Sequence, residues 1–263
     1  MQVRNPITRA RRKIGRLLAD NFGRRMMSIT THIPIVSFTF DDAPKSAFVV
    51  AREILKEYNV RATYFISLGL LGAETEVGEI ASVGDLARAL EDGSELGCHT
   101  FDHLDAWHVS STAFMASVAR NREALGRILP GATFTTFAYP KTGATLSVKS
   151  ALGKTFVCCR GGGQAANVDS ADLNLVKACF FDKRTNVDAE FIGTLLDYNA
   201  RRRGWLILAT HDVAPDPSPY GCSPKFLEEI VQRASQSGAL LLPVGEACAK
   251  IIMQAKVDPS SER

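Results

Sequence analysis

Residues 33–67 read IPIVSFTFDDAPKSAFVVAREILKEYNVRATYFIS, and the fold is decided in this stretch. Ile33–Phe40 is an apolar, β-branched and aromatic run, the pattern of a buried strand. Lys45–Tyr58 sets Phe48, Val49, Ile54 and Leu55 at helical spacing, which predicts an amphipathic helix. Val60–Ser67 returns to a strand pattern. Two strands separated by a helix of this length form a crossover unit, so the strands run parallel.

The alternation continues along the chain. Further strands are expected at Glu95–Cys98, Thr135–Tyr139, Thr155–Cys159, Leu173–Cys179, Leu206–Thr210 and Ala239–Leu242. Helices are expected at Val83–Leu90, Ser111–Leu129, Asp188–Arg203, Pro224–Ser237 and Gly245–Gln254, with Ser110 or Ser111 as a cap and Pro130-Gly131 as a stop. Seven or eight strand–helix repeats define an α/β protein, either a (β/α) barrel or an open doubly wound sheet. No G-x-G-x-x-G or P-loop follows a strand, and Gly161-Gly162-Gly163 reads as a flexible loop.

With 46% hydrophobic and 22% charged residues over 263 positions, the chain can bury a substantial core, which excludes a disordered protein. No apolar run has the length of a membrane span and no secretory leader pattern opens the chain, so a soluble cytoplasmic protein is expected. The net charge of +3 is unevenly distributed. Residues 1–25 hold eight basic side chains (Arg4, Arg9, Arg11, Arg12, Lys13, Arg16, Arg24, Arg25) against Asp20, leaving 23 basic and 27 acidic residues for the rest. A mildly acidic body argues against nucleic acid as the main partner. Ile14, Leu17, Leu18 and Phe22 recur at helical spacing within the basic stretch. That helix has two readings, peripheral contact with an anionic membrane or docking on the body with the basic face in solvent. The organisation expected is a partly helical basic arm over 1–32, a catalytic domain over 33–255 and a polar tail over 256–263. None of Cys98, Cys158, Cys159, Cys179, Cys222 and Cys248 lies in a C-x-x-C pair, and all six are read as structural thiols.

In this architecture functional groups gather at the carboxyl ends of strands. There the chain places Asp41-Asp42 after the first strand, His99 and His103 after the third, and His211-Asp212 after the seventh. Two adjacent carboxylates repel once desolvated, and a divalent cation relieves the repulsion. One helical turn between His99 and His103 would set both rings on one side. Two imidazoles and one carboxylate make the three-ligand, open-position set of a catalytic metal, zinc above all, with cobalt, manganese or nickel as alternatives. Only one of Asp41 and Asp42 need face that ion. The other is then free to act as a base.

Ser37-Phe-Thr-Phe-Asp41-Asp42-Ala43-Pro44 resembles the first motif of the polysaccharide deacetylase (NodB-homology) family, usually T-F-D-D-G-P. His99-Thr-Phe-Asp-His103 is similar to its H-[ST]-x-x-H motif, and Leu208-Ala-Thr-His211-Asp212 to its last. The resemblance implies a distorted (β/α) barrel of about seven parallel strands. It implies one divalent metal held by Asp42, His99 and His103, with Asp41 as base and His211 as acid. The reaction implied is N-deacetylation of an N-acetylglucosamine-containing oligo- or polysaccharide, as in chitooligosaccharide deacetylases. Tyr139, Pro140 and Lys141 align with the substrate and oxyanion motif, but Ala138 occupies the position of that motif's arginine. Arg160 or Lys141 is expected to replace it, Asp182 to tune His211, and Leu208 and Ala209 to line an acetyl-methyl pocket. Two other functions fit the same residues: an amidohydrolase acting on a non-sugar amide, and a non-catalytic glycan-binding protein.

Overall fold

The computed structural model describes residues 6–29 and 31–257, with side chains over 12–29 and 31–256. The strands are β1 Met26–Ile29, β2 Ile35–Phe40, β3 Thr63–Ile66, β4 Glu74–Thr75, β5 Gly78–Glu79, β6 Glu95–Cys98, β7 Thr136–Ala138, β8 Cys158–Arg160, β9 Asp169–Asp172, β10 Cys179–Phe180, β11 Trp205–Thr210 and β12 Leu240–Leu241. The helices are α1 Pro6–Asn21, α2 Arg52–Glu57, α3 Val83–Glu91, α4 Ser111–Ile128, α5 Leu146–Leu152, α6 Ala189–Arg202, α7 Pro224–Gln236 and α8 Val244–Val257.

Seven strands form one parallel sheet in the order β10-β11-β2-β3-β6-β7-β8, and β12 adds a short parallel pairing to β2. The sheet curls back on itself. Past β8, the Val176 N–H donates to Cys159 O and the Gly161 N–H to Val176 O, both at 2.9 Å, and the same segment then enters β10 beside β11. This is the distorted barrel of about seven parallel strands.

Strand alternation sorts the side chains into two packed layers. Val36, Phe38 and Phe40 join the cluster under the helices, with Tyr64, Phe137 and Leu208. Ile35, Phe65, Ala138, Trp205 and Ala209 fill the inner face, where the Trp205 indole donates to Ser37 Oγ at 3.0 Å. Asp41 continues the inner-face phase of residues 35, 37 and 39, which is why its carboxylate ends inside the barrel mouth.

The structure departs from the sequence reading in several places. The expected Lys45–Tyr58 helix opens with a π turn over Ala47–Ala51, which slips the helical phase, so Val49 is exposed while Phe48 and Leu55 are buried. Helix α5 was not expected; it has seven residues, with the Thr145 side chain capping it through the Val148 N–H. The antiparallel pair β1–β9 lies outside the main sheet, and its second strand, Asp-Ser-Ala-Asp, has no apolar pattern. Strand β1 falls within the stretch read as an arm. At the other end, α8 runs through Val257, and the tail beyond it lies outside the described residues.

All six cysteines are free and buried. Burial pushes the Cys98 thiol up to about 11 and those of Cys159, Cys179 and Cys222 to about 12. The fold therefore favours neutral thiols. Their contribution to stability is complete below the unfolded thiol value of about 8.5 and is lost as pH rises toward the folded values. Ellman's reagent at pH 8 is expected to leave these thiols unlabelled in the native protein and to label all six after guanidinium unfolding.

Candidate active site

A cavity of about 430 Å³ opens at the carboxyl ends of the parallel strands, lined among others by Asp41, Asp42, His99, His103, Lys141 and His211. Asp42 sits at φ +63° and Ala43 at +58°. This left-handed pair turns the Asp42 carboxylate toward the cavity, away from the outward direction that strand alternation would give it. The cost at Ala43, a non-glycine residue in the left-handed region, is about 1 kcal/mol.

His99 follows β6, and its Nδ1 donates to Ala138 O at 2.8 Å, which directs Nε2 at Asp42. The helical turn expected between His99 and His103 is absent. Residues 99–103 form a loop with Thr100 and His103 at positive φ, tied down by the Ser117 hydroxyl, which accepts from the Phe101 N–H at 3.0 Å. The two rings still converge, with centroids 5.1 Å apart.

Asp42 Oδ1 lies 3.3 Å from His99 Nε2 and 3.1 Å from His103 Nε2. These separations match the edge of a tetrahedron with ~2.0 Å metal–ligand bonds, about 3.3 Å. Donor atoms of the three residues all lie within 4.8 Å of one another, and the buried Asp42 Oδ1 has no hydrogen-bond partner among the described residues. Burial acts to raise the Asp42 carboxyl, but the close approach of the His103 and His99 imidazoles holds it well below the usual range. The trio therefore fits a divalent cation: a carboxylate poised to stay ionised, and imidazole nitrogens aimed at one point.

Asp41 stands beside this trio. Its N–H donates to Thr210 O at 3.0 Å, and Oδ1 is ion-paired with Arg160, whose side chain is fully buried. The guanidinium carbon lies 5.0 Å from the Phe65 ring centroid and 5.2 Å from that of Phe180, so the cation is held between two aromatic faces. Arg160 on β8 is in register with Ala138 on β7. The cation thus enters from the neighbouring strand at the same level, and Lys141 is not its source.

His211 Nε2 lies 3.9 Å from Asp42 Oδ2, and its Nδ1 donates to Tyr220 O at 3.1 Å. Asp182, expected to tune His211, is instead paired with Arg184, accepting from its N–H at 2.9 Å and from Nη2 at 2.6 Å. The partner of His211 is a backbone carbonyl, which no sequence motif encodes. Lys141 reaches the cavity with its backbone at φ +56°. Tyr139 and Pro140 are buried behind it, and the Tyr139 hydroxyl donates to Asn174 O at 2.9 Å. Leu208 packs under the helices and does not line the cavity, because it has the opposite strand phase from the inner-face residue Ala209. The cavity walls also include Val77, Gly162, Gly163, Gln164, Arg184 and Tyr220, none of them singled out from sequence except the glycine run.

Fold and site together define a class, an α/β barrel protein with a carboxylate–imidazole cluster at the strand ends. Residues 28–156 match the family model described as polysaccharide deacetylase. A bifunctional xylanase/deacetylase of Pseudobutyrivibrio xylanivorans is 32% identical over 104 residues, 40% of this chain and 15% of that protein. A chitin deacetylase of Colletotrichum lindemuthianum is 31% identical over 116 residues, 42% of this chain and 46% of its own length. The chain spans less than half the length of these curated relatives. Among solved structures, that of the chitin deacetylase from Colletotrichum lindemuthianum aligns with a TM-score of 0.61 at 19% identity, covering 86% of this chain and 91% of its own. A family 4 acetyl xylan esterase from Clostridium thermocellum, in complex with a cobalt ion, aligns at 0.59 and 23% identity, covering 87% and 96%. These structures share the fold.

Proposed function

We propose that this protein is a metal-dependent hydrolase that removes N-acetyl groups from an N-acetylglucosamine-containing oligo- or polysaccharide. The observation that carries the reading is the convergence of Asp42, His99 and His103 beside the buried Asp41–Arg160 pair, with His211 across the cavity. Asp42, His99 and His103 would hold the ion, zinc in the first instance. When bound, it supplies Lewis-acid polarisation of the acetyl carbonyl and a water acidified toward neutral pH.

The side chains account for the rest. Asp41, held in place by its ion pair with Arg160, takes the proton of the attacking water. His211, with Nδ1–H committed to the Tyr220 carbonyl, presents Nε2 to the leaving nitrogen and delivers a proton there. An amine anion is too basic to leave unprotonated, so this delivery completes C–N cleavage to acetate and a free amine. In this reading the Lys141 N–H, on a left-handed turn at the cavity edge, donates to the carbonyl oxygen as negative charge develops. The named activities of the relatives, chitin deacetylase and peptidoglycan-N-acetylglucosamine deacetylase, support an acetylated amino sugar as the substrate. The proposal also keeps the protein in the cytoplasm, where six buried free thiols stay reduced.

Acetate release from chitooligosaccharides by zinc- or cobalt-loaded protein tests the reading. Turnover is expected, with His211→Ala lowering kcat by about 10²-fold. Turnover confined to non-sugar acetamides would replace the sugar substrate, and binding without any turnover would overturn the hydrolase.

A further inference from the structure

Helix α1 and the turn that follows it are fixed to the body by small residues. A Cβ on Gly15 would lie 2.5 Å from the Trp107 ring, and one on Gly23 2.7 Å from Ser150 Oγ, so the helix backbone sits directly on the surface beneath. Ala19 is buried at the same spacing. The fully buried Lys149 donates to the carbonyls of Ala19 and, at 3.0 Å, Phe22, and pairs with Asp172 at 2.5 Å. Arg12 donates to His108 on the loop that leads away from His103. The helix is thus held in one orientation beside the active-site loop.

That orientation leaves the helix's large apolar side chains in solvent. Ile14 is 58% exposed, Leu17 54%, Leu18 42% and Phe22 57%. They recur at i, i+3, i+4 and i+8, a single stripe along the helix and the first residue past its end. Lys13 and Arg16 are exposed too, and neither has an acidic partner among the described residues. The whole segment 1–25 carries eight basic residues against one acid.

We propose that α1 is a membrane-docking element: Ile14, Leu17, Leu18 and Phe22 insert at the headgroup–acyl boundary of an anionic bilayer, and the flanking basic residues pair with lipid headgroups. An apolar stripe beside exposed cations fits a surface that is both apolar and negatively charged. A second copy of the chain fits poorly. A two-fold contact through this stripe would set two strongly cationic segments face to face. The proposal is independent of the substrate and of the metal.

Vesicle sedimentation of the full chain tests it. The protein is expected to pellet with phosphatidylcholine vesicles carrying about 30% phosphatidylglycerol at about 0.1 M salt, where the Debye length is about 10 Å. Binding to pure phosphatidylcholine is expected to be at least about tenfold weaker. The double variant Leu17→Ser, Phe22→Ser and the double variant Lys13→Glu, Arg16→Glu should each lower partitioning about tenfold or more. All four side chains are exposed, so circular dichroism and melting temperature should not change. Failure to bind anionic vesicles, or binding indifferent to both double variants, overturns the proposal. So does a dimer in equilibrium sedimentation that Leu17→Ser, Phe22→Ser converts to monomer, because the stripe would then be a protein interface.

Discussion

Replacing Asp41 with Asn is expected to lower kcat/KM for acetate release by about 10³- to 10⁴-fold, the upper range for removing a general base. The substitution keeps the size of the side chain and leaves an amide oxygen for Arg160 to donate to, so the fold should persist. It also leaves Asp42, His99 and His103 untouched, and the bound-metal stoichiometry should match that of the wild type. This combination separates two roles for the first carboxylate. If Asp41 were a fourth ligand, Asn would weaken metal retention along with activity. If it is the base, only turnover falls, and added metal does not restore it.

Arg160→Ala is expected to have the second-largest effect, on stability and activity together. The guanidinium is fully buried, paired with Asp41 and held between Phe65 and Phe180. Removing it strands an ionised carboxylate in a low-dielectric site, a loss of about 3–5 kcal/mol for breaking a buried pair. Asp41 also loses the partner that holds its carboxylate beside Asp42, His99 and His103. Activity should fall by about 10²-fold. The register of β7 and β8 supplies the control. Ala138 and Arg160 are direct neighbours, and registered residues on adjacent strands project from the same face. Arg160→Ala combined with Ala138→Arg should therefore return a cation to Asp41 and restore much of the activity. A double variant no better than Arg160→Ala would mean that Arg160 acts by filling space.

The parts of this site carried by strand ends were legible in the sequence. Asp41-Asp42, His99 and His211 each follow an apolar strand, and parallel strands bring their carboxyl ends together whatever the loops between them do. The supporting contacts were less legible. His211 is oriented by the carbonyl of Tyr220, and every residue carries a carbonyl, so composition gives no signal for it. Arg160 was visible as a cation near a strand end, but its pairing with Asp41 depends on the neighbour relation of β7 and β8 and on the sheet curling inward. Asp182 stood at a strand end as well, yet Arg184 two residues on captures its carboxylate. The same limit applies to the fold. The long periodic helices were readable, whereas α5 is too short to establish a period, and β9 pairs through its backbone despite a polar sequence. Leu208 lies under the helices, away from the pocket wall, because its strand phase is opposite to that of Ala209.

Metal content of the purified full chain, equilibrated with zinc and then passed through a desalting column, is the most direct measurement. The geometry of Asp42, His99 and His103 predicts about one ion per chain in the wild type and in Asp41→Asn, and less than about 0.1 in His99→Ala and Asp42→Ala. Wild-type protein that retains no ion, or His99→Ala and Asp42→Ala proteins that retain as much as the wild type, would contradict the account.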